Sequence, residues 1–238
     1  MESSKIPSAS PLLPILVSRT LTLLPLYAPP AGHRVVSVFI NVTRPADSVA
    51  VLTIDRDEKR NALSEELLVE LADTLEHELS DAPSILLTGA GSAFSAGADL
   101  SSGDPAAIYP ALKRVLEIIR GAEKAVVAYV NGPAIGAGAM LAGACDIRVV
   151  APPARFAIPV ARMGVPVTPE LADALAGLVG GARARTMLMT GMPINSATAV
   201  DCGFAALRGT FGDAVEVAIV CAEGSAVTIA SIKAAFRS

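Results

Sequence analysis

Tryptophan is absent from this chain, and aromatic residues of any kind make up 4% of its 238 residues. Histidine occurs only at His33 and His77, which is too few for a histidine-rich metal site and leaves little material for a catalytic triad. Basic residues do not cluster among aromatic ones, and the formal net charge is −4. These shortages argue against nucleic-acid binding, and we expect no metal centre.

Cysteine and long uninterrupted apolar runs are also scarce. Cys145, Cys202 and Cys221 lie in apolar stretches without a C-x-x-C spacing. Their odd number predicts reduced thiols and a cytoplasmic protein. The most apolar stretch near the N-terminus, residues 11–32, is broken by five prolines and by Arg19. It therefore does not predict a membrane-spanning helix.

Residues 1–46 differ in composition from the rest, and we expect them to be an irregular extension. Three explanations remain open for this segment. It is a disordered extension, an export signal with an unusual start, or a wrongly assigned start of translation. In the last case the true start lies nearer 35–38.

The remaining pattern alternates β-branched runs with amphipathic segments, which indicates an α/β fold with covered sheets. We expect a core over residues 47–210 and a shortened helical segment over 211–238. Residues 154–164 are expected to form short extended pieces. The predicted strands cover 49–55, 84–89, 125–132 and 145–151. The predicted helices cover 64–79, 105–124, 136–144 and 168–189, with another beginning at 196.

Two segments rich in glycine and alanine, residues 89–100 and 131–146, each follow a predicted strand and lead toward a helix. Small side chains let a ligand approach the backbone closely, and amides at the start of a helix are unpaired. One amide from each segment could share the carbonyl oxygen of a thioester. Either segment alone is weak evidence, because such turns are commonly packing devices.

The chain resembles the crotonase family, also called the enoyl-CoA hydratase/isomerase family, over roughly residues 48–210. The resemblance rests on DRDEKRNALSEEL (55–67), FSAGADL (94–100), NGPAIGAG (131–138), CDIRVVAPPARFAIPVARMG (145–164) and the helices that follow. It implies the spiral of ββα units found in this family and the ClpP-like proteins. It also implies a coenzyme A thioester as ligand or substrate, with no permanently bound cofactor. A trimeric or hexameric homo-oligomer is expected by the same resemblance.

The resemblance assigns residues to the site one by one. Ala98 and Ala137 match the two amides that form the oxyanion hole, and Ala137 replaces a commoner glycine. Asp99 is expected to cap neighbouring amides rather than act as a base, and Arg60 is either a phosphate contact or a solvated charge. The residues expected along the coenzyme A groove are Arg60, Ala62, Leu63, Ala96, Gly97, Ala98, Asp99, Leu100 and Gly136.

Two departures from the family pattern concern catalysis. Hydratases of this family use two glutamates, and these fall at Met140 and Val160, neither of which can exchange a proton. Each general acid or base is worth about 10²–10⁴-fold in rate. Glu170 is the nearest carboxylate beyond them. It is either a relocated base or simply the first-turn acid of a helix that Thr168 caps.

Several readings of function follow. The leading one is a protein that binds fatty acyl-CoA with little or no hydration, as a carrier, a sensor or a partner of other lipid enzymes. The main alternative is an active enoyl-CoA hydratase or isomerase of fatty acid metabolism that uses Glu170. A peptidase with Ser92 or Ser95 as nucleophile lacks a suitable histidine, and GAGAMLAG is not a dinucleotide fingerprint. The chain stops soon after Lys233, which is expected to be the last basic group near coenzyme A.

Overall fold

A computed structural model describes residues 38–101 and 105–236. The expectations for the N-terminal extension, including His33, concern residues that lie largely outside this range. The strands are β1 Ile40–Ala46, β2 Val49–Ile54, β3 Ser84–Gly89, β4 Ala125–Val130, β5 Pro133–Ile135, β6 Ile147–Val150, β7 Arg155–Ala157, β8 Ile194–Asn195 and β9 Leu207–Arg208. The helices are α1 Glu65–Asp81, α2 Pro105–Gly121, α3 Ala137–Ala144, α4 Val160–Met163, α5 Pro169–Val179, α6 Gly181–Thr190, α7 Ser196–Asp201, α8 Phe211–Glu223 and α9 Ala226–Ala235.

The main sheet has the strand order β1-β2-β3-β4-β6-β9. All neighbours in it are parallel except β1 and β2, which form an antiparallel pair. A second, small sheet has the order β5-β7-β8. The predicted α/β class with a covered parallel sheet is therefore confirmed.

Alternation along the strands divides the core between the two faces of the main sheet. In β2, Leu52 and Ile54 face the larger cluster, which includes residues of α1, α2 and α3, whereas Val51 faces the smaller one. The smaller cluster is completed by Ala214 and Ala218 of α8. Full burial of a leucine or isoleucine is worth about 1.5–3 kcal/mol, so both faces contribute strongly to stability.

Hydroxyl side chains cap the starts of α1 and α5, and the second cap was predicted. The Ser64 hydroxyl accepts a hydrogen bond from the Leu67 amide (3.3 Å) at the start of α1. Thr168 does the same for Leu171 at the start of α5 (3.3 Å), with Pro169 as the first helical residue. Both hydroxyls satisfy amides that the helix itself leaves unpaired.

Two local expectations were wrong. Residues 1–46 are not irregular throughout, because Ile40–Ala46 forms the edge strand β1, whose backbone pairs with β2. Residues 160–163 form the single helical turn α4, not an extended piece. The helical segment expected over 211–238 consists of two helices, α8 and α9, which are separated at Gly224.

No single helix within 38–101 and 105–236 has the length and apolar character needed to cross a membrane. Helices α8 and α9 pass that test only as a pair bent by 107°, and only by length and composition.

Candidate functional site

The loop after β3 is joined to the segment before α1 by a short parallel bridge between Leu63 and Ala98. The Leu63 amide donates to the Gly97 carbonyl (2.8 Å), and the Asp99 amide donates to the Leu63 carbonyl (2.9 Å). These bonds use the groups on either side of Ala98, so the Ala98 amide is directed away from Leu63. The Ala96 amide extends the junction by donating to the Arg60 carbonyl (2.9 Å).

Asn61 fixes this junction, and sequence analysis missed its role. It is fully buried and has φ +57°, in the left-handed region that asparagine tolerates better than most residues. Its side-chain oxygen accepts from the Arg56 amide (2.9 Å), and its Nδ2 donates to the carbonyls of Ala90 (2.9 Å) and Ala93 (2.8 Å). The available signal was an asparagine directly after a charged turn.

Ser95 connects the same loop to β5. Its amide donates to the Pro133 carbonyl (3.1 Å), and its carbonyl accepts from the Ile135 amide (2.9 Å). The Ser95 hydroxyl is fully buried and donates to the Asn61 carbonyl (2.8 Å). This burial and bonding agree with the exclusion of Ser95 as a nucleophile.

Gly97 is the point where the two Gly/Ala segments meet. It has φ +95°, and a Cβ placed there would lie 2.7 Å from the Ile135 carbonyl oxygen and 3.7 Å from the Ala137 nitrogen. Gly138 lies against Ser95 in the same way, with 2.7 Å from an added Cβ to the Ser95 Cβ. The fold therefore brings together the neighbourhoods of Ala98 and Ala137.

The amides of Ala98 and Ala137 are the groups that this junction leaves available. Ala137 is the first residue of α3, so its amide has no partner inside the helix. In the part of the chain that the structure describes, neither amide donates a hydrogen bond. Gly136, with φ +53°, donates instead to the Ala157 carbonyl (2.7 Å) and turns the chain into α3.

Asp99, the residue after Ala98, has a buried carboxylate. It pairs with Arg56 (2.8 Å) and, at a longer distance, with Lys59 (3.5 Å), and it accepts from the Ser101 amide (3.0 Å) and hydroxyl (2.6 Å). The Ser101 hydroxyl, opposed by burial and aided by the Ser101 amide and Arg56, holds the pKa of Asp99 far below its ordinary value. Such a carboxylate braces the loop and is poorly suited to take up a proton. Sequence analysis did not assign Arg56 a role.

The other predicted groove residues lie along this junction with different exposure. Arg60 is exposed and has φ +51°, and Leu100 is exposed as well. Ala62, Leu63 and Gly97 are buried, whereas Ala96, Ala98 and Gly136 are half-buried.

A cavity of about 480 Å³ opens beside α3. Its wall is mainly apolar and is formed by α2, α3, α5 and α6 together with Phe156, Ile158, Ile194 and Phe204. Met140 lies on this wall, and so does Glu170 near the start of α5. Val160 is not among the lining residues; it begins α4, half-buried against the main core. Cavities of this size commonly hold small organic ligands.

Glu170 has the features of a first-turn helix acid. It is exposed, and the pKa of its carboxyl is lowered by its own backbone amide and by the Thr168 hydroxyl. A lowered pKa makes it a weaker base than an ordinary glutamate.

The remaining candidate groups are not placed for chemistry at this junction. Burial raises the pKa of the Cys145 thiol to about 12, so that thiol stays protonated. Lys233 is buried and donates to the carbonyls of Ile119 and Lys124 (both 3.0 Å) and to Asp146 (2.6 Å). Its ammonium group is therefore held by these three oxygens, and its expected place near coenzyme A stays a prediction. Among the described residues, no cluster of acidic, histidine or cysteine side chains could hold a metal ion.

Comparisons with known proteins agree with this architecture. Residues 44–237 match the family model described as "Enoyl-CoA hydratase/isomerase". The chain is 41% identical over 180 residues to the protein named "Probable enoyl-CoA hydratase echA6" of Mycobacterium tuberculosis, which covers 74% of this chain and 72% of that protein. It is 32% identical over 198 residues to a "Probable enoyl-CoA hydratase" of Bacillus subtilis, covering 77% and 76%. The crystal structure of an enoyl-CoA hydratase from Thermoplasma volcanium matches with a TM-score of 0.77 at 29% identity, covering 85% of this chain and 84% of that one.

Proposed function

Since the chain belongs to the enoyl-CoA hydratase/isomerase family, we propose that it binds fatty acyl-CoA or enoyl-CoA thioesters and hydrates them little or not at all. The observation that carries this proposal is Met140, which stands on the wall of the cavity beside α3 where the resemblance expects a glutamate. The thioether of methionine neither accepts nor donates a proton at ordinary pH. The cavity would hold the acyl chain.

The amides of Ala98 and Ala137 would donate hydrogen bonds to the carbonyl oxygen of the thioester. Both belong to the junction around Gly97, and neither donates a hydrogen bond to another described group. The donor is backbone, so alanine at 137 serves as well as glycine. A donor of this kind is typically worth about 3–4 kcal/mol toward a developing oxyanion. We assign the pantetheine and adenine groove to the surface running from Arg60 to Leu100.

The proton-transfer machinery is what the site would lack. Val160 occupies the second glutamate position, and its side chain carries no polar atom. Loss of two general acid–base groups reduces a rate by about 10²–10⁴-fold for each group. Binding and polarisation of a thioester would therefore remain, while hydration would be slow or absent.

Calorimetric titration of the full-length chain with a trans-2-enoyl-CoA tests this proposal. We expect a saturating isotherm without continuing heat, and a weaker or absent response to free coenzyme A. Sustained heat proportional to protein concentration would show turnover and contradict the second half of the proposal. Absence of any binding would contradict the whole of it.

A second candidate function, an active hydratase or isomerase with Glu170 as the base, is favoured by one observation: Glu170 also lines the cavity. Glu170→Gln, which keeps the shape of the side chain, tests it. Loss of turnover in this variant would support the enzyme. Unchanged turnover in Glu170→Gln would exclude Glu170 as the base. The matched control is Glu117→Gln, on the α2 side of the same cavity.

Two further properties stay predictions. Assembly into a trimer or hexamer follows from the resemblance, and light scattering of the purified chain measures it. A cytoplasmic location follows from the unpaired cysteines, of which Cys145 is buried. No permanently bound cofactor is expected.

A further inference from the structure

Arg148 is a buried cation on β6, with 8% of its surface exposed. Its Nε donates to the Phe204 carbonyl, and its terminal nitrogen donates to the Cys145 carbonyl and, at the limit of hydrogen-bond distance, to that of Ala142 (3.5 Å). Its guanidinium carbon stands 4.9 Å from the centre of the Phe204 ring. The guanidinium of Arg148 therefore contacts main-chain carbonyls, through hydrogen bonds, and the face of an aromatic ring.

No carboxylate of the described residues lies within 4.0 Å of the Arg148 guanidinium. Burial lowers the pKa of Arg148, yet arginine remains charged at any ordinary pH. The Ala142 and Cys145 carbonyls lie at the C-terminal end of α3, where the helix dipole is negative. The cation is therefore neutralised by the end of α3 rather than by an ion-pair partner.

The same helix begins at the other end with Ala137. Helix α3 has eight residues, and its sequence AGAMLAGA offers few large side chains to fix its position. A helix of two turns is not stable by itself, so its placement depends on tertiary anchors. Arg148 is such an anchor, because it donates hydrogen bonds to the Ala142 and Cys145 carbonyls at the C-terminal end of α3.

Arg148 also fixes part of the cavity wall. Phe204, whose carbonyl and ring both contact Arg148, lines the cavity and packs edge-on against Phe156 at 4.7 Å between ring centres. Gly143 of α3 lies between these elements, since an added Cβ there would be 3.9 Å from the Phe204 ring. One side chain thus connects α3 with the aromatic wall.

We propose that Arg148 is a positioning residue of the thioester site, which it serves by tying the C-terminal turn of α3 to Phe204. This inference rests on the proposed function, because it assigns the purpose of a fixed α3 to the Ala137 amide. Arg148 is not among the residues that line the cavity, so it would act on the site through α3 and Phe204. It sets where the amide at the far end of α3 points, and it keeps the aromatic wall in register with that amide.

The test uses 4-dimethylaminocinnamoyl-CoA, a thioester chromophore whose absorption moves to longer wavelength when hydrogen bonds polarise its carbonyl. The wild-type full-length chain is expected to produce this shift at saturation. In Arg148→Met the shift is expected to shrink, and the affinity for the thioester relative to free coenzyme A is expected to fall about tenfold, as for one misplaced hydrogen bond. The affinity for free coenzyme A should stay unchanged.

Two further variants keep the result interpretable. Arg148→Lys retains the charge and the aliphatic stem but reaches fewer carbonyls, so it should give an intermediate shift and can be read alone if Arg148→Met does not fold. Val149→Ala, the next residue on β6 and buried on the opposite face of the sheet, lowers stability without touching α3 and should keep the full shift.

An unchanged shift in the arginine variants, or an equal loss of shift in Val149→Ala, would overturn the inference. A wild-type chain that binds the thioester without any spectral shift would overturn both the oxyanion assignment and this inference. Binding of free coenzyme A alone would instead contradict the proposed function. These results are distinguishable because each is read from a different ligand or variant.

Discussion

Residues 55–101, which contain Gly97, are held by buried polar side chains, whereas the cavity-lining residues of 137–179 are mainly apolar. In the first stretch, Asn61, Ser95 and Asp99 are buried, and their polar atoms bond to backbone or to basic groups. In the second stretch, Met140 and Leu175 face the cavity, and Val160 is packed against the core.

This difference teaches how the two tasks of such a site separate physically. Shaping a backbone groove requires buried polar groups with satisfied partners, because loops carry their own unpaired amides and carbonyls. Moving protons requires titratable groups at the ligand. The first requirement is met in residues 55–101. Among the described residues of 137–179, Glu170 is the one carboxylate that lines the cavity.

The largest effect is expected at Asn61. Asn61→Ala would remove three hydrogen bonds, which join its side chain to the Arg56 amide and to the Ala90 and Ala93 carbonyls, and would place alanine at φ +57°. We expect a loss of about 4 kcal/mol in the free energy of unfolding, measured with urea. Asn41→Ala, an exposed site on β1, should cost under ~0.5 kcal/mol. A small loss of unfolding free energy in Asn61→Ala would show that the buried polar side chains of residues 55–101 do not hold these loops in place.

Gly97→Ala should break the junction itself. Its Cβ would lie 2.7 Å from the Ile135 carbonyl oxygen, and φ is +95°. We expect a loss of about 3 kcal/mol and loss of thioester binding in the calorimeter.

Gly177→Ala in α5 is the matched control for this substitution. An added Cβ at that position meets nothing within 4 Å. It should stabilise the chain by about 0.5–1 kcal/mol and leave binding intact. Equal effects at the two glycines would contradict the close approach seen at Gly97.

Introducing carboxylates at the two positions where the family has glutamates should sharpen the comparison. The double variant Met140→Glu with Val160→Glu is expected to hydrate crotonyl-CoA about 100-fold faster than the unmodified chain, by supplying the missing proton-transfer groups. The rate is followed by loss of enoyl absorbance. The glutamine pair at the same positions adds similar bulk without an exchangeable carboxyl proton and should remain inactive. A folded glutamate pair that binds the thioester yet stays inert would contradict the alignment of these two positions.

The smallest effect concerns the acid dependence of Asp99. Its pKa is below the ordinary value in the folded chain, so the carboxylate adds stability that is complete above pH ~4 and is lost as pH falls below that value. The difference in unfolding free energy between the wild type and Asp99→Asn should therefore narrow as pH falls from neutral toward 3. Asp173→Asn, at an exposed site on α5, is the control variant measured over the same pH range. A constant gap at Asp99 would argue against a lowered pKa of this carboxyl in the folded chain.

The elements that sequence analysis predicted well are those with local causes. The amphipathic helix at 64–79, the Thr168 cap and the β-branched run of β2 each depend on residues close together in the chain. The juxtaposition of the two Gly/Ala segments could be expected only through the family resemblance. The structure shows the two segments in close contact at Gly97, whereas the roles of Ala98 and Ala137 stay predictions.

The features that were missed depend on partners distant in sequence. Asn61, Arg56 and Arg148 bond mainly to main-chain groups or to single buried carboxylates, and such bonds leave no periodic pattern. β1 was missed because an edge strand with solvent-facing polar residues and Pro45 looks like a loop. α4 was missed because one turn is too short for helical periodicity, and β-branched Val160 favours strand.

Helix α8, which covers the smaller cluster, has a consequence for how the protein is made. Its Ala214 and Ala218 pack over Val49 and Val51 of β2, Leu86 of β3 and Val127 of β4. The ribosome releases those strands long before residues 211–223 emerge. Until then, α8 cannot cover the valine and leucine side chains on this face of the sheet. We therefore expect the nascent chain to be prone to aggregation through this face until α8 has been synthesised.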